Sequence, residues 1–242
     1  MPPTPTRTWW AVTPTTSATT ATPTRCSATT TFCTRTTRRT WFTGDGNFLG
    51  NNADYNAVSG VGNALREDAD YNAVSGMGNT LAANADKNVV GGNANYVGND
   101  GYANAVFGNN NVLYQNNTSN LVSGDGNFLG NNSDWNTVTG FSNTLGDDSN
   151  GNAVSGTGNF LANLTDDNAV SGSNNSLGLN ADNNVVGGND NYVGNEGFAN
   201  AVFGNDNTLS QNNDSNFGLR RRQPARQRGG LQCCERRRQR AA

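Results

Sequence analysis

The sequence predicts an all-β fold, a two-faced β-solenoid of 16-residue coils. Three observations carry that prediction. Asn recurs at 56, 72, 88, 104, 120, 136, 152, 168, 184, 200 and 216, always 16 apart and without an insertion. With each of these as position 1, position 3 is Val in ten consecutive copies, Val58 to Val202, and position 5 is Gly in the same ten, Gly60 to Gly204. Position 8 is Asn and position 10 is Leu or Val throughout the same copies. A fixed period of this length is the signature of a stacked repeat architecture.

Composition excludes the commoner alternatives. Hydrophobic residues make up 33% and charged residues 14% of the 242, beside 30 Gly and 43 Asn, which suits neither an ordinary globular enzyme nor a charged disordered tail. No His is present, so the commonest general base and metal ligand is missing. No apolar run reaches the roughly 18 residues that a membrane-spanning helix needs. A low-complexity Asn-rich tract has no reason to hold Val and Leu in register over ten copies. A helical solenoid is disfavoured by Asn and Gly, poor helix formers, and by β-branched Val at the key position.

Charge divides the chain into three parts. Between Thr43 and Leu219 stand two cations, Arg66 and Lys87, against 18 carboxylates, a net charge of −16. The flanks hold the other 14 cations, one carboxylate, all four Cys and all six Pro. Residues 43–219 are therefore the predicted solenoid, with 1–42 a Thr/Pro-rich flank and 220–242 an Arg-rich flank.

Both flanks read as the same repeat translated in another frame. Asn88-Val89-Val90-Gly91, written AAC GTG GTG GGC and read one base later, yields the Thr-Trp-Trp-Ala found at Thr8-Trp9-Trp10-Ala11, five repeats upstream. Gly124-Asp125-Gly126-Asn127, read one base early, yields the Arg-Arg-Arg-Gln found at 220–223 and again at 236–239. One shift at each end accounts for Thr, Trp, Arg and Cys together. It is preferred to a nucleic-acid-binding Arg tail, a mucin-like stalk or a Cys233-Cys234 metal site, and both flanks are expected to be unstructured and without function.

Within a coil, two short strands are expected, one around position 3 and one around position 10. Neighbouring residues of a strand point to opposite faces, so Val at position 3 and Leu at position 10 meet across a thin core. Gly at position 5 suits a corner that needs positive φ. Coils stacked at about 4.8 Å place equivalent Asn amides one above another, each donating to one neighbour and accepting from the other. The acidic residues gather at position 15 (Asp54, Asp70, Asp86, Asp134, Asp166, Asp182, Asp214). Turn-forming Asx residues explain that column better than calcium ligands do.

The outward positions differ between the strands. Positions 2 and 4 are mostly small and never charged: Ala57 and Ser59, Ala73 and Ser75, Ala105, Ser123, Thr137 and Thr139, Ala153 and Ser155, Ala169 and Ser171. Positions 9 and 11 mix Thr80, Thr144 and Thr208 with Tyr96, Phe128, Phe160, Tyr192 and Arg66. The first face is expected to be flat, regular and free of charges that would hold water in other geometries. Its coil spacing lies close to a repeat distance of the ice lattice.

Asn-Ala-Val-Ser-Gly (56–60, 72–76, 152–156, 168–172) and Asn-Thr-Val-Thr-Gly (136–140) resemble the Asn-x-Val-x-Gly repeats of ryegrass-type grass antifreeze proteins. The resemblance covers residues 43–219 and implies a left-handed, two-faced β-roll that inhibits ice growth and recrystallisation through one flat face. The unit here is longer than the grass unit, its outward positions hold more Ala than Thr, and Phe107 and Phe203 interrupt the face. The twelve small residues named above are the expected ice-binding set. The expected partner is the ice–water surface, with no catalytic residue, cofactor, metal, nucleic acid or membrane, and the chain is expected to be a secreted monomer. The other reading kept open is a β-roll adhesin or surface module similar to the heads of trimeric autotransporters.

Overall fold

The computed structural model describes residues 25–27, 32–33 and 40–220. It is an all-β solenoid of 16-residue coils, and no helix occurs among the described residues. Each full coil contributes a five-residue strand at positions 2–6, such as Ala153–Thr157, and a two-residue strand at positions 9–10, such as Phe160–Leu161. Among the described residues the long strands form one parallel sheet of 13 strands and the short strands a second of 12, each inner strand pairing with its equivalents one coil before and after. Register is 16 throughout: Val138 pairs with Val154 and Leu145 with Leu161.

The predicted core rows are buried. Val58 through Val202 at position 3 and Leu65 through Val193 at position 10 form one continuous apolar cluster. A third inner column, at position 14, was not expected. Ala53, Ala69, Ala85, Ser133, Ser149, Thr165 and Ala181 are fully buried there. Only small residues fit where the third side of the coil closes on the thin core.

The Asn columns line the interior and replace backbone pairing at the corners. Asn143 at position 8 accepts from the Asn159 backbone N–H and from Asn159 Nδ2, while its own Nδ2 faces Asn127 Oδ1, Thr139 O and Gly156 O. Asn152 at position 1 repeats the arrangement and ties its corner to the third side through Thr165 O, 2.7 Å away. Each amide satisfies groups that the turning chain leaves without a strand partner, so the buried polar columns carry little desolvation cost.

Four positions per coil have positive φ. Positions 7, 13 and 16 lie near +50 to +67° and accept non-glycine residues, among them Ala94, Asp148 and Trp135. Position 5 differs. Its φ runs from +102° at Gly44 to +120° at Gly124, and a Cβ there would stand 1.9–2.0 Å from the carbonyl oxygen of the next coil's Gly. That glycine is the fourth residue of the five-residue strand, as Gly156 is in Ala153–Thr157, so the positive φ the sequence suggested for a corner falls within the strand.

Strands also occur outside residues 43–219. Strand Trp41–Asp45 pairs with Ala57–Val61, and Phe42 takes the Val position with 1% exposure. Thr40 takes the Asn position: its Oγ1 accepts from the Asn56 N–H and donates to Ala53 O. Arg25–Ser27 and Phe32–Cys33 continue the two sheets, and Phe217–Arg220 closes the long-strand sheet one residue beyond 219. Across these stretches, which fall at or beyond the edges of the predicted solenoid, the 16-residue register persists through the change in composition. The rest of 1–42 and 220–242 lies outside the described residues.

Candidate functional faces

All twelve small residues of the expected set lie in the long strands, on the side away from the core. Ala57, Ala73, Ser75, Thr137, Ala153, Ser155, Ala169 and Ser171 are exposed, and Ser59, Ala105, Ser123 and Thr139 are half-buried. Parallel pairing places them in two straight columns: Thr137, Ala153 and Ala169 in one, Thr139, Ser155 and Ser171 beside it. The stacked rings of Tyr55 and Tyr71, in adjacent coils, lie 4.7 Å apart and 5° from parallel, which gauges the rise per coil.

The face is divided into patches. Phe107 and Phe203 at position 4 stand six coils apart. Between them the position-4 column reads Ser123, Thr139, Ser155, Ser171, Gly187, the longest stretch without a ring. Nearer the N-terminus, Ala57, Ser59, Ala73 and Ser75 form the floor of a shallow trough walled by Trp41 and Val89. Exposed Val89, Leu121 and Val185 at position 2 add methyl surface.

The short-strand face is uneven. Phe48, Phe160 and Tyr192 are exposed at position 9, while Thr80 and Thr144 are half-buried beside them. An open groove of about 460 Å³ runs past Phe48, Arg66, Glu67, Thr80 and Tyr96. Phe128 is met edge-on by Tyr114, with ring centroids 4.9 Å apart.

The acidic column is structural. Asp86 Oδ1 accepts from the Asp70 N–H, Asp134 Oδ1 from the Thr118 N–H and Asp182 Oδ1 from the Asp166 N–H. Asn150 does the same for Asp134, so the acceptor is needed and the charge is not. Where an aromatic replaces the acid, at Tyr102 and Phe198, the preceding N–H turns instead to the carbonyl of Gly101 or Gly197. Burial pushes the Asp70 carboxyl above its ordinary range, partly offset by the hydrogen bond from the Asp54 N–H and reinforced by Asp86, Asp54 and Asp68. Asp182 is raised for the same reasons, burial foremost. Lys87 donates to the Tyr102 hydroxyl, which raises its pKa, and lies 4.6 Å from that ring's centroid. Among the described residues no three His, Cys, Asp or Glu side chains converge to hold a metal ion.

No protein-family model and no curated protein matches the chain. Any functional reading therefore rests on the faces themselves. Sequence reasoning placed the face residues but missed the pairing of each position-4 ring with a glycine one coil earlier, Phe107 with Gly91 and Phe203 with Gly187. Adjacent Gly-Gly and Val-Phe-Gly repeats (90–92 and 106–108, 186–188 and 202–204) were the available signal.

Proposed function

We propose that this chain is a non-enzymatic ice-binding protein, secreted and monomeric, that acts through positions 2 and 4 of the long strands. The observation that carries the reading is the patch between Phe107 and Phe203. There the uncharged small residues Ser123, Thr137, Thr139, Ala153, Ser155, Ala169 and Ser171 stand in register on a parallel sheet. Methyl and hydroxyl groups at a fixed spacing of about 4.8 Å order surface water into a regular layer, which can join a crystal of matching repeat. A charged group would bind water in a competing geometry, and neither column holds one from Trp41 to Phe217. The Asn ladders tie the backbone beneath the face to the coils on either side, which favours a face already ordered before it meets water.

The test is an ice recrystallisation assay with two tyrosine variants. Ser155→Tyr, in the middle of the patch, raises a ring above its neighbours and abolishes most of the activity. Thr144→Tyr, on the opposite sheet, leaves the activity unchanged. If the two variants act the other way round, ice binding moves to the short-strand face. If the native chain leaves ice crystals unaltered, ice binding is refuted.

A further inference from the structure

The short-strand face carries a second periodicity that the fold does not require. Tyr96, Phe128, Phe160 and Tyr192 at position 9 are spaced by 32 residues, two coils each. Val112, Thr144 and Ser176 fill the coils between, and the pairing runs unbroken through all seven. Since small residues serve the same position and the same buried column at position 10, packing does not demand the rings. Each ringed coil also carries Asn at position 12: Asn99, Asn131, Asn163 and Asn195, with Gly98, Gly130, Ala162 and Gly194 keeping position 11 low. The Oδ1 atoms of Asn163 and Asn195 accept from the N–H groups of Asp147 and Leu179, which fixes the amides. Their Nδ2 donors meet no protein acceptor among the described residues.

We propose that this face, from Tyr96 to Asn195, binds a neutral β-1,4-linked glucan chain lying along the solenoid axis. Two coils rise about 9.4–9.8 Å. An extended β-1,4-glucan is a flat ribbon that presents the same face of its pyranose rings every second residue, at a repeat of about 10 Å. Alternate sugars can then lay their apolar C–H faces against successive aromatic rings, while the Asn163 and Asn195 amides donate to hydroxyls along the ribbon edge; the Asn131 amide is engaged by Asp147 Oδ1, 3.1 Å away. Over four rings the mismatch accumulates to no more than about 2 Å, within the swing of a Phe or Tyr side chain about χ1. Charge selects the polymer: positions 9 and 11 are uncharged from Tyr96 to Gly194, Asp147 is the single charge in the position-12 column between Asn99 and Asn195, and it and the strongly acidic loops of the solenoid repel uronate chains. The ice-binding reading concerns the other sheet, and neither proposal depends on the other.

The experiment uses the full chain. Depletion from solution by microcrystalline cellulose is measured, together with titration by cellohexaose followed through Tyr and Trp fluorescence. Amylose, chitin and polygalacturonate serve as comparison polymers. The variants are Phe160→Thr and Tyr192→Ser, singly and combined; they remove the two most exposed rings of the array, 47% and 39% accessible, and install residues that position 9 already holds elsewhere. The native chain is expected to bind cellulose and cellohexaose. Each single variant should weaken binding about fivefold and the double variant more than tenfold, with circular dichroism and recrystallisation inhibition unchanged. Failure of the native chain to bind cellulose overturns the proposal, as does native-like binding by the folded double variant. Equal binding to amylose, or binding to chitin or polygalacturonate in place of cellulose, overturns the glucan assignment.

Discussion

Phe203 covers Gly187. Its Cδ1 stands 3.0 Å from where a Cβ on Gly187 would lie, and six coils earlier Phe107 stands in the same way over Gly91, at 3.3 Å. In both cases the ring is at position 4 of one coil and the glycine at position 4 of the coil before. The large residue and the missing side chain are matched across the ladder, so the ring leans along the sheet over the glycine. This is the cross-strand pair, the unit of sheet stabilisation, used to seat an aromatic on an otherwise low surface. The two pairs also set the ends of the longest patch of small residues.

Two glycines in one coil separate the need for positive φ from the need for space. At Gly60 φ is +112°, and a Cβ would stand 1.9 Å from Gly76 O. At Gly62 φ is +66° and nothing lies within 4 Å of such a Cβ. Gly60→Ala should therefore cost about 3 kcal/mol or more, combining strain and overpacking, while Gly62→Ala should cost about 1 kcal/mol. Position 7 already holds Ala94 and Ser142 at similar φ. Denaturant midpoints for the two variants check the ordering, and equal losses would contradict it.

The Asn ladder predicts that amide chemistry matters more than size. Asn143→Leu leaves the Asn159 N–H and the carbonyls of Thr139 and Gly156 without their buried partner, at an expected cost of about 3–5 kcal/mol. Asn143→Asp keeps the shape but turns a donor toward two carbonyls into a carboxylate. It should be comparably damaging at neutral pH and partly rescued in acid, where the protonated carboxyl donates again. Because each coil contacts only its neighbours, the damage should appear as a broadened or two-step melt as the stack divides at the altered coil. A single sharp transition at the native temperature would contradict the ladder's role.

Asp70 and Asp182 set the sign of the pH dependence. Both have folded-state pKa values raised above the ordinary carboxylate value, chiefly by burial. The folded chain therefore binds these protons more tightly than the unfolded chain does. Stability contributed by this effect is fully present below the unfolded pKa and is lost as pH rises through the raised folded value. Mild acidification should raise the melting temperature. Asp70→Asn retains the acceptor for the Asp54 N–H, as Asn150 does for Asp134, and removes the penalty. It should stabilise the chain slightly at pH 7, solvent screening keeping the effect small, and flatten the acid rise. A melting temperature that falls steadily from pH 7 to 4.5 would contradict this.

How much of this was legible in the sequence follows from how strictly each position is constrained. Val at position 3, Leu or Val at position 10 and Asn at positions 1 and 8 each face one fixed environment in the ten copies from Asn56, so one or two residue types survive and the period is plain. Position 14 is buried equally well by Ala, Gly, Ser, Thr or Asn, as in Ala69, Gly101, Ser133, Thr165 and Asn117, and the varied identities conceal a third wall. The coil that begins at Thr40 was hidden by the opposite effect. Thr40 and Phe42 look foreign to the repeat, yet a hydroxyl can accept one N–H as an amide does and Phe can fill the Val site. The outward face was legible as alternation about position 3. Its division into patches was not, because it depends on pairs of residues one coil apart.

The Gly187–Phe203 pair supplies the sharpest prediction about that face. If ice activity scales with the uninterrupted area of small residues, removing the ring should extend the patch toward the C-terminus. Phe203→Ser puts at position 4 the residue that Ser155 and Ser171 already place there, and no core contact is lost because the ring lies outside the sheet. Recrystallisation inhibition should then occur at a lower protein concentration than for the native chain, with the melting temperature changed by little. Gly187→Ser alone should do the reverse. A side chain on Gly187 meets the Phe203 ring at 3.0 Å and must lift it away from the sheet, raising a taller obstacle beside the patch. Combining the two changes removes both the obstacle and the ring it displaced, so the double variant should recover at least the activity of Phe203→Ser. An unchanged activity across all three, in a chain that inhibits recrystallisation, would show that the patch bounded by Phe107 and Phe203 is not the surface that meets ice.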